Sequence, residues 1–193
     1  MKKIIVGITL IVAAVSLGLF LFMIFGTSDS KKTVEELCKL GNDAYDAGDY
    51  TKAVKWYKKA AKQGDDNAQR RLGWCYAYGK GVKEDYEKAF EWYEKSAVQG
   101  NAEAQIGLGL CYTYGRGVKQ DYAKAFEWYK KAAEQCCGNV IQYTVGYCYE
   151  EGLGVRQDYD KALEWYRKSA ELGNENAKEA VERIINDPNY YED

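Results

Sequence analysis

The chain has 193 residues, and its 27 basic and 29 acidic side chains nearly cancel to a net charge of −2. Such a balance creates no field that would attract a nucleic acid. Histidine is absent, which removes the commonest general base and zinc ligand. We therefore expect no nucleic-acid partner, and any catalytic site would have to use carboxylates, lysine, tyrosine or cysteine. The sequence shows no catalytic constellation of these residues, so we predict no catalytic residue, no metal and no cofactor, and a protein that is not an enzyme.

The N-terminus carries an uncharged stretch, IIVGITLIVAAVSLGLFLFMIF, over residues 4–25. As a helix it would be roughly 33 Å long, against about 30 Å for the hydrocarbon core of a bilayer. It therefore predicts a single transmembrane helix or uncleaved signal anchor. The alternative is a cleaved signal peptide followed by secretion, because small residues follow at Gly26-Thr27-Ser28. Lys2 and Lys3 favour a cytoplasmic N-terminus, and hence a periplasmic, extracellular or luminal C-terminal domain.

Beyond the anchor the chain repeats itself. One motif begins at intervals of 36, 36 and 37 residues, as DYTKAVKWYKKAA from Asp49, DYEKAFEWYEKSA from Asp85, DYAKAFEWYKKAA from Asp121 and DYDKALEWYRKSA from Asp158. A second motif precedes the last three copies, as LGWCYAYGKGV from Leu72, LGLCYTYGRGV from Leu108 and VGYCYEEGLGV from Val145. A period of this length predicts an all-α solenoid in which each unit is a pair of helices.

The glycine pairs inside the second motif look at first like phosphate-binding loops. The residue between the two glycines is Lys80, Arg116 and then Leu153, so positive charge is not required there. A phosphate loop also follows a strand, and no strand pattern is present. We predict instead a turn within a helix hairpin, with a glycine ending the first helix and an aspartate capping the second. No nucleotide is expected.

The second helix of each unit is predicted to be amphipathic. Ala89, Trp92, Tyr93 and Ser96 fall at the i, i+3, i+4 and i+7 positions of one apolar stripe. On the opposite side, i,i+4 ion pairs are predicted for Glu91–Lys95, Glu127–Lys131 and Glu164–Lys168.

These units resemble the Sel-one-like repeat (SLR), a branch of the tetratricopeptide repeat (TPR) superfamily, over residues 67–170. The stretch from Gly41 lacks the four-residue insertion of the later turns and is closer to an ordinary TPR unit. The predicted boundaries are a basic N-terminus 1–3, an anchor 4–25, a linker 26–33, a TPR-like repeat 34–63, SLR units 64–99, 100–135 and 136–172, a capping helix 173–186 and an acidic tail 187–193.

The resemblance implies a right-handed superhelix whose first helices line a concave groove that binds a protein or peptide. Counting from the shared glycine places these groove candidates: Asn42, Arg70, Trp74, Tyr78, Leu110, Tyr114, Tyr143 and Tyr147. Packing between repeats is an equal alternative for each aromatic residue. Asn42 matches an asparagine of chaperone-binding TPR domains, but Cys38 and Trp74 replace other residues of their carboxylate clamp, so we expect no chaperone-tail binding.

The cysteines leave one alternative function open. Cys75, Cys111 and Cys148 recur at one position of the first helices and are expected to be small buried hydrophobic residues. Cys136 and Cys137 instead lie in the connection between the last two copies of the first motif, whose starts at Asp121 and Asp158 are 37 residues apart. A thiol-based redox or sensor protein, with the solenoid as its platform, is therefore the alternative to an interaction scaffold.

Overall fold

The computed structural model describes residues 32–135 and 138–186, and this part of the chain is helical throughout its regular structure. Nine helices are described, namely α1 (Val34–Asp46), α2 (Tyr50–Ala61), α3 (Asp66–Ala77), α4 (Tyr86–Ala97), α5 (Ala102–Tyr114), α6 (Tyr122–Glu134), α7 (Asn139–Glu151), α8 (Tyr159–Glu171) and α9 (Glu175–Ile185). The first eight form four hairpins, α1–α2 to α7–α8, and each helix packs mainly on its chain neighbours. The predicted helical-repeat solenoid is confirmed.

The predicted anchor, residues 4–25, and the tail, residues 187–193, lie outside the described residues. Within 32–135 and 138–186, no helix has the length and apolar character needed to cross a bilayer.

Each second helix begins directly after a capping aspartate, as predicted for Asp85, Asp121 and Asp158. The carboxylates of Asp49, Asp85, Asp121 and Asp158 accept a hydrogen bond from the backbone N–H three residues on, at 2.9–3.0 Å. At the other side of the turn, Gly115 and Gly152 end α5 and α7 in the left-handed conformation, with φ of 65° and 67°. The predicted hairpin turn is therefore confirmed.

The second glycine of each turn has a different role, which joins neighbouring hairpins. A Cβ atom placed on Gly117 would stand 2.0 Å from the carbonyl oxygen of Tyr86, in the first turn of α4. Gly154 meets the carbonyl of Tyr122 at the same distance, and Gly81 meets that of Tyr50 at 2.3 Å. Each turn thus lies directly on the backbone of the preceding second helix, which only glycine allows.

Within each hairpin, a tyrosine of the second helix packs on a glycine of the first. The four pairs are Tyr57 on Gly41, Tyr93 on Gly73, Tyr129 on Gly109 and Tyr166 on Gly146. All four rings are buried. The glycine lets the two helices approach until the ring fills the space that a side chain would otherwise occupy.

The predicted ion pairs on the second helices form only in part. Lys168 contacts Glu164 at 2.6 Å, but among the described residues neither Lys95 nor Lys131 lies within 4.0 Å of its predicted glutamate. The ammonium groups of all three lysines, including Lys168, lie 4.3–4.5 Å from the ring centres of Trp92, Trp128 and Trp165. A lysine three residues after a tryptophan stacks on the ring and covers its apolar face.

The last helix closes the C-terminal end of the stack. α9 packs against α8 through Ala177, Ala180 and Ile184, which are all buried. Arg183 of α9 also reaches back to the buried carboxylate of Glu150 on α7, with a contact of 2.5 Å. This contact attaches the last helix to the fourth hairpin.

Candidate functional site

Large side chains are exposed at recurring positions of the first helices. Tyr78, Leu110, Tyr114 and Tyr147 have exposed fractions of 54%, 40%, 62% and 42%. Leu110 and Tyr114 are four residues apart on α5 and therefore share one side of that helix. Helices α3 and α5 also contact each other directly, which brings these two first helices side by side. We call these four residues the first-helix face.

Two of the predicted groove aromatics are involved in packing. Trp74 is half-buried between Tyr45 and Tyr78, with ring centres 5.6 and 4.9 Å away. Tyr143 lies 5.1 Å from the ring of the buried Tyr166. Trp74 thus packs between the first and second hairpins, and Tyr143 packs between the two helices of the fourth. Both side chains therefore offer less free contact area than the first-helix face.

Arg116, between the two glycines of its turn, borders this face. Its guanidinium lies 5.2 Å from the ring centres of both Tyr86 and Tyr114. Lys80 takes the same position over Tyr50 in the preceding turn. The middle residue of the turn therefore covers a tyrosine of the preceding hairpin, which explains its long side chain without any phosphate.

The remaining predicted groove residues, Asn42 and Arg70, meet in a cleft of about 480 Å³ between α1 and α3. Asn42 accepts a hydrogen bond from the hydroxyl of Tyr57 at 2.9 Å. Arg70 forms an ion pair with Glu103 at 2.7 Å. Asn42 and Arg70 are thus each already bonded to another side chain of the protein, while a second cation, Arg71, also lines the cleft.

The described cysteines are poor nucleophiles. Burial, together with a 3.3 Å hydrogen bond to Asp65, raises the pKa of the Cys38 thiol to about 12. Burial raises the pKa of Cys75, Cys111 and Cys148 to about 11. All four thiols are free and protonated at neutral pH. Cys75, Cys111 and Cys148 are buried, as predicted. Cys136 and Cys137 lie outside the described residues.

These raised pKa values predict slow alkylation. With iodoacetamide at pH 8, Cys38 should react at least about a hundredfold more slowly in the folded chain than in the chain unfolded in urea, because thiolate is the reactive form. Peptide-level mass spectrometry would measure each rate separately. Cys38 is partly exposed, so reaction at the unfolded rate would show that its thiol is not held protonated. The same digest reports whether Cys136 or Cys137 reacts faster.

Sequence reasoning missed one set of buried polar residues. Gln69, Gln105 and Gln142 are all more than nine-tenths buried, each on the first helix of its hairpin. Glu150 is equally buried, with its carboxylate bonded to Tyr166 and Arg183. The three glutamines recur at intervals of 36 and 37 residues, so the repeat itself carried a signal for them.

The stacked hairpins, their glycine contacts and the exposed first helices define a TPR-like helical-repeat protein. The model of the Sel1 repeat matches residues 37–65, 66–101, 102–135 and 142–174. The chain therefore belongs to the Sel1 repeat family. The first hairpin is matched too, despite its shorter turn. Sel1 repeat proteins generally mediate protein–protein interactions as scaffolds and are typically not enzymes.

Solved structures show the same architecture. A Sel1 repeat protein from Oxalobacter formigenes is 35% identical with a TM-score of 0.74, over 79% of this chain and 63% of its own. A protective antigen present in uropathogenic Escherichia coli strains, with an SLR fold, is 39% identical with a TM-score of 0.72, over 81% of this chain and 34% of its own. Cysteine-rich protein B of Helicobacter pylori is 25% identical with a TM-score of 0.53, over 68% of this chain and 93% of its own.

The chain thus spans less than two thirds of the length of the first two structures. None of the curated proteins compared with it matches.

Proposed function

We propose that this protein is a membrane-anchored scaffold that binds a protein or peptide partner through the first-helix face. The observation that carries the proposal is the exposure of Tyr78, Tyr114 and Tyr147, between 42% and 62% of each side chain. Tyrosine offers a large, rigid contact surface with a polar end and is enriched at the centres of protein interfaces.

The neighbouring charges suit a polypeptide better than a small charged ligand. Arg70 is paired with Glu103, and Arg116 lies over two tyrosine rings. These cations are therefore partly neutralised or shielded, and the exposed area between them is aromatic and aliphatic. A peptide chain can cover such an area with its side chains and satisfy its backbone at the edges.

The anchor is the second part of the proposal and rests on residues 4–25. Their length and lack of charge suit a single membrane span, which would hold the repeats at a membrane surface outside the cytoplasm. Alkaline extraction of membranes tests it. An anchored chain stays in the pellet at its full 21.9 kDa, whereas a cleaved chain is shorter and soluble.

The binding face is tested by capture of partners from native membranes with the full-length chain. The variant Tyr78→Ala/Tyr114→Ala/Tyr147→Ala should capture the partner at least about tenfold less than wild type, because tyrosines are enriched among the few interface residues whose truncation costs about 2 kcal/mol or more. Trp74 and Tyr143 are left intact because they support the fold.

The matched control is Tyr122→Ala/Tyr159→Ala, which removes two tyrosines of similar exposure, 43% and 40%, from the start of second helices. This control should capture as much partner as wild type. Thermal melts must show that both variants fold. Equal capture by the first-helix variant and wild type would refute the proposed face.

A further inference from the structure

Helix α2 has a surface of unbalanced positive charge, because it contains no acidic residue. Five lysines lie along one side of it, namely Lys52, Lys55, Lys58, Lys59 and Lys62, which directly follows the helix. At 3.6 residues per turn they occupy an arc of about 120° on the helix surface. Lys59 is half-buried, and the other four are exposed. We call these five residues the α2 lysine face.

The corresponding positions of the later second helices are nearly balanced in charge. Counted by the repeat intervals of 36, 36 and 37 residues, those of α4 hold two lysines and two glutamates, and those of α6 and α8 each hold three cations and two glutamates. Lys55, for example, is replaced by Glu91, Glu127 and Glu164 in the three later hairpins. The excess positive charge is therefore a property of the first hairpin and not of the repeat.

The lysines of α2 also lack the ionic partners that later lysines have. Lys88 contacts Asp85 at 2.5 Å, and Lys161 contacts Asp158 at 2.6 Å. In the part of the chain that the structure describes, no carboxylate lies within 4.0 Å of Lys52, Lys55, Lys58 or Lys62. These charges repel one another, so an anionic surface placed against them would lower the electrostatic free energy.

Trp56 lies at the edge of the α2 lysine face. The ammonium groups of Lys59, Lys55 and Lys32 lie 4.7, 5.7 and 5.8 Å from the centre of its ring. The tryptophans at the same position of α4, α6 and α8 each have one such lysine in the described chain. A partly exposed tryptophan among lysines is typical of the headgroup region of a bilayer, where the ring meets the apolar boundary and the cations stay in water.

The α2 lysine face is also close to the predicted anchor along the chain. Six residues, 26–31, separate the uncharged stretch 4–25 from Lys32, the first described residue. Even fully extended, six residues span only about 20–22 Å, roughly the width of two packed helices. An anchored chain therefore holds the hairpin α1–α2 at the bilayer surface. Helix α1 has four carboxylates and one lysine, so of the two helices α2 is the one that an anionic surface attracts.

We propose that the α2 lysine face binds the anionic phospholipid headgroups of the membrane that holds the anchor. The lysine ammonium groups contact lipid phosphates, and Trp56 lies at the level of the headgroups. This inference deepens the proposed function and rests on its anchor for the distance to the bilayer, but not for the charge of the face. The first-helix face lies on α3, α5 and α7, so the two surfaces share no helix and lipid contact leaves the partner site open.

The test measures the acetylation rate of individual lysines in the full-length chain by peptide-level mass spectrometry. The chain is placed in nanodiscs of phosphatidylcholine, or of phosphatidylcholine with phosphatidylglycerol, because a disc exposes both membrane surfaces to the reagent. At low salt, Lys52 and Lys62 should react at least about fivefold more slowly on the anionic discs, since the lipid phosphates cover them. The difference should disappear at about 0.5 M salt, where the Debye length is about 4 Å. Lys178, on α9 at the other end of the stack, should react equally on both discs.

A charge-reversed variant tests the face itself. Lys55→Glu/Lys58→Glu gives α2 the glutamates that α4 carries at the same positions, so the fold should tolerate it. The remaining lysines of the face should then react at equal rates on the two discs. The matched control, Lys119→Glu/Arg156→Glu, changes the net charge by the same amount at exposed turn positions of the third and fourth hairpins and should remain protected like wild type. Thermal melts check that both variants fold.

Equal rates for Lys52 and Lys62 on the two discs, or equal slowing of Lys178, would overturn the lipid contact. Slowing that persists at high salt would also overturn it, because charge attraction would not be the cause. Slowing by soluble poly-glutamate but not by anionic discs would assign the face to an acidic polypeptide instead.

Failure of the anchor is seen separately, because an unanchored chain does not copurify with neutral discs. If such a chain still binds anionic discs at low salt, with the lysines of α2 protected, the face binds lipid without an anchor. If it binds neither kind of disc, both the anchor and the lipid contact are refuted.

Discussion

Replacing Gly117 with alanine is expected to destabilise the protein by about 3 kcal/mol or more, among the largest effects of a single methyl group. The added Cβ atom would stand 2.0 Å from the carbonyl oxygen of Tyr86 and 2.8 Å from the backbone nitrogen of Glu87. Both are backbone atoms of α4, so no side-chain rotation can relieve the overlap. The third hairpin would have to move away from the second.

Gly115 in the same turn is the matched control. Its φ of 65° is close to the 72° of Gly117, so alanine is strained by a similar amount at both positions. A Cβ atom on Gly115, however, meets nothing closer than 3.5 Å. Gly115→Ala should therefore lower the unfolding free energy only by the strain of an alanine in the left-handed conformation, about 1–2 kcal/mol. Urea unfolding followed by circular dichroism measures both variants.

The difference between the two variants isolates the contact between hairpins. If Gly117→Ala and Gly115→Ala lose the same stability, the approach of the turn to α4 contributes nothing and the glycine is required only for its φ. If Gly117→Ala also broadens the unfolding transition, the hairpins on either side of the turn have begun to unfold separately, as expected of a solenoid in which each unit contacts only its neighbours.

Local chemistry made much of the solenoid predictable from the sequence. Asp85 and Asp121 precede amphipathic patterns, and Gly115 follows a helical one, so both ends of the helices could be read from neighbouring residues. The close approach of Gly117 to Tyr86 was not readable in this way. It depends on how one hairpin is placed against the next, and residues 31 positions apart in the sequence do not reveal that distance.

The same limit applied to surface contacts. The sequence places Lys95 near both Trp92 and Glu91, and the i,i+4 rule favoured the glutamate. In the structure the lysine lies on the tryptophan, because this covers apolar area that the packed hairpin leaves half exposed. The candidate face was predictable in part. Counting by repeats located Tyr114 and Tyr147, but it could not tell them from Tyr143, which packs on a ring of the following helix.

Replacing Arg183 with methionine is expected to destabilise the C-terminal end by about 2 kcal/mol at neutral pH. Glu150 is 7% exposed, and Arg183 contacts both of its oxygens, at 2.5 and 3.1 Å. Removal of one partner leaves the other charge buried, which costs roughly 3–5 kcal/mol in a fully buried pair. The effect is smaller here because Arg183 itself is 61% exposed. Lys178→Met on the same helix breaks an exposed pair with Glu175 and should cost less than about 1 kcal/mol.

The pH dependence distinguishes a lost charge contact from lost packing. Burial alone would raise the pKa of Glu150, but hydrogen bonds from Arg183 and Tyr166 outweigh burial and lower the pKa below its ordinary value of 4.5. In the wild type, this stabilisation is therefore complete above pH 4.5 and is lost as the pH falls through the lowered pKa. Without Arg183, burial is opposed mainly by the bond from Tyr166, so the pKa should rise above 4.5.

Protonation of Glu150 in Arg183→Met then relieves the buried charge as the solution is acidified from pH 7 towards pH 5. The difference in unfolding free energy between the variant and wild type should shrink over that range, since only the variant gains a proton there. The double variant Glu150→Gln/Arg183→Met carries no buried charge and should show a difference from wild type that is constant between pH 7 and pH 5. If the single variant also shows a constant difference, Arg183 stabilises α9 through the packing of its aliphatic stem, and the ion pair with Glu150 is incidental to the cap.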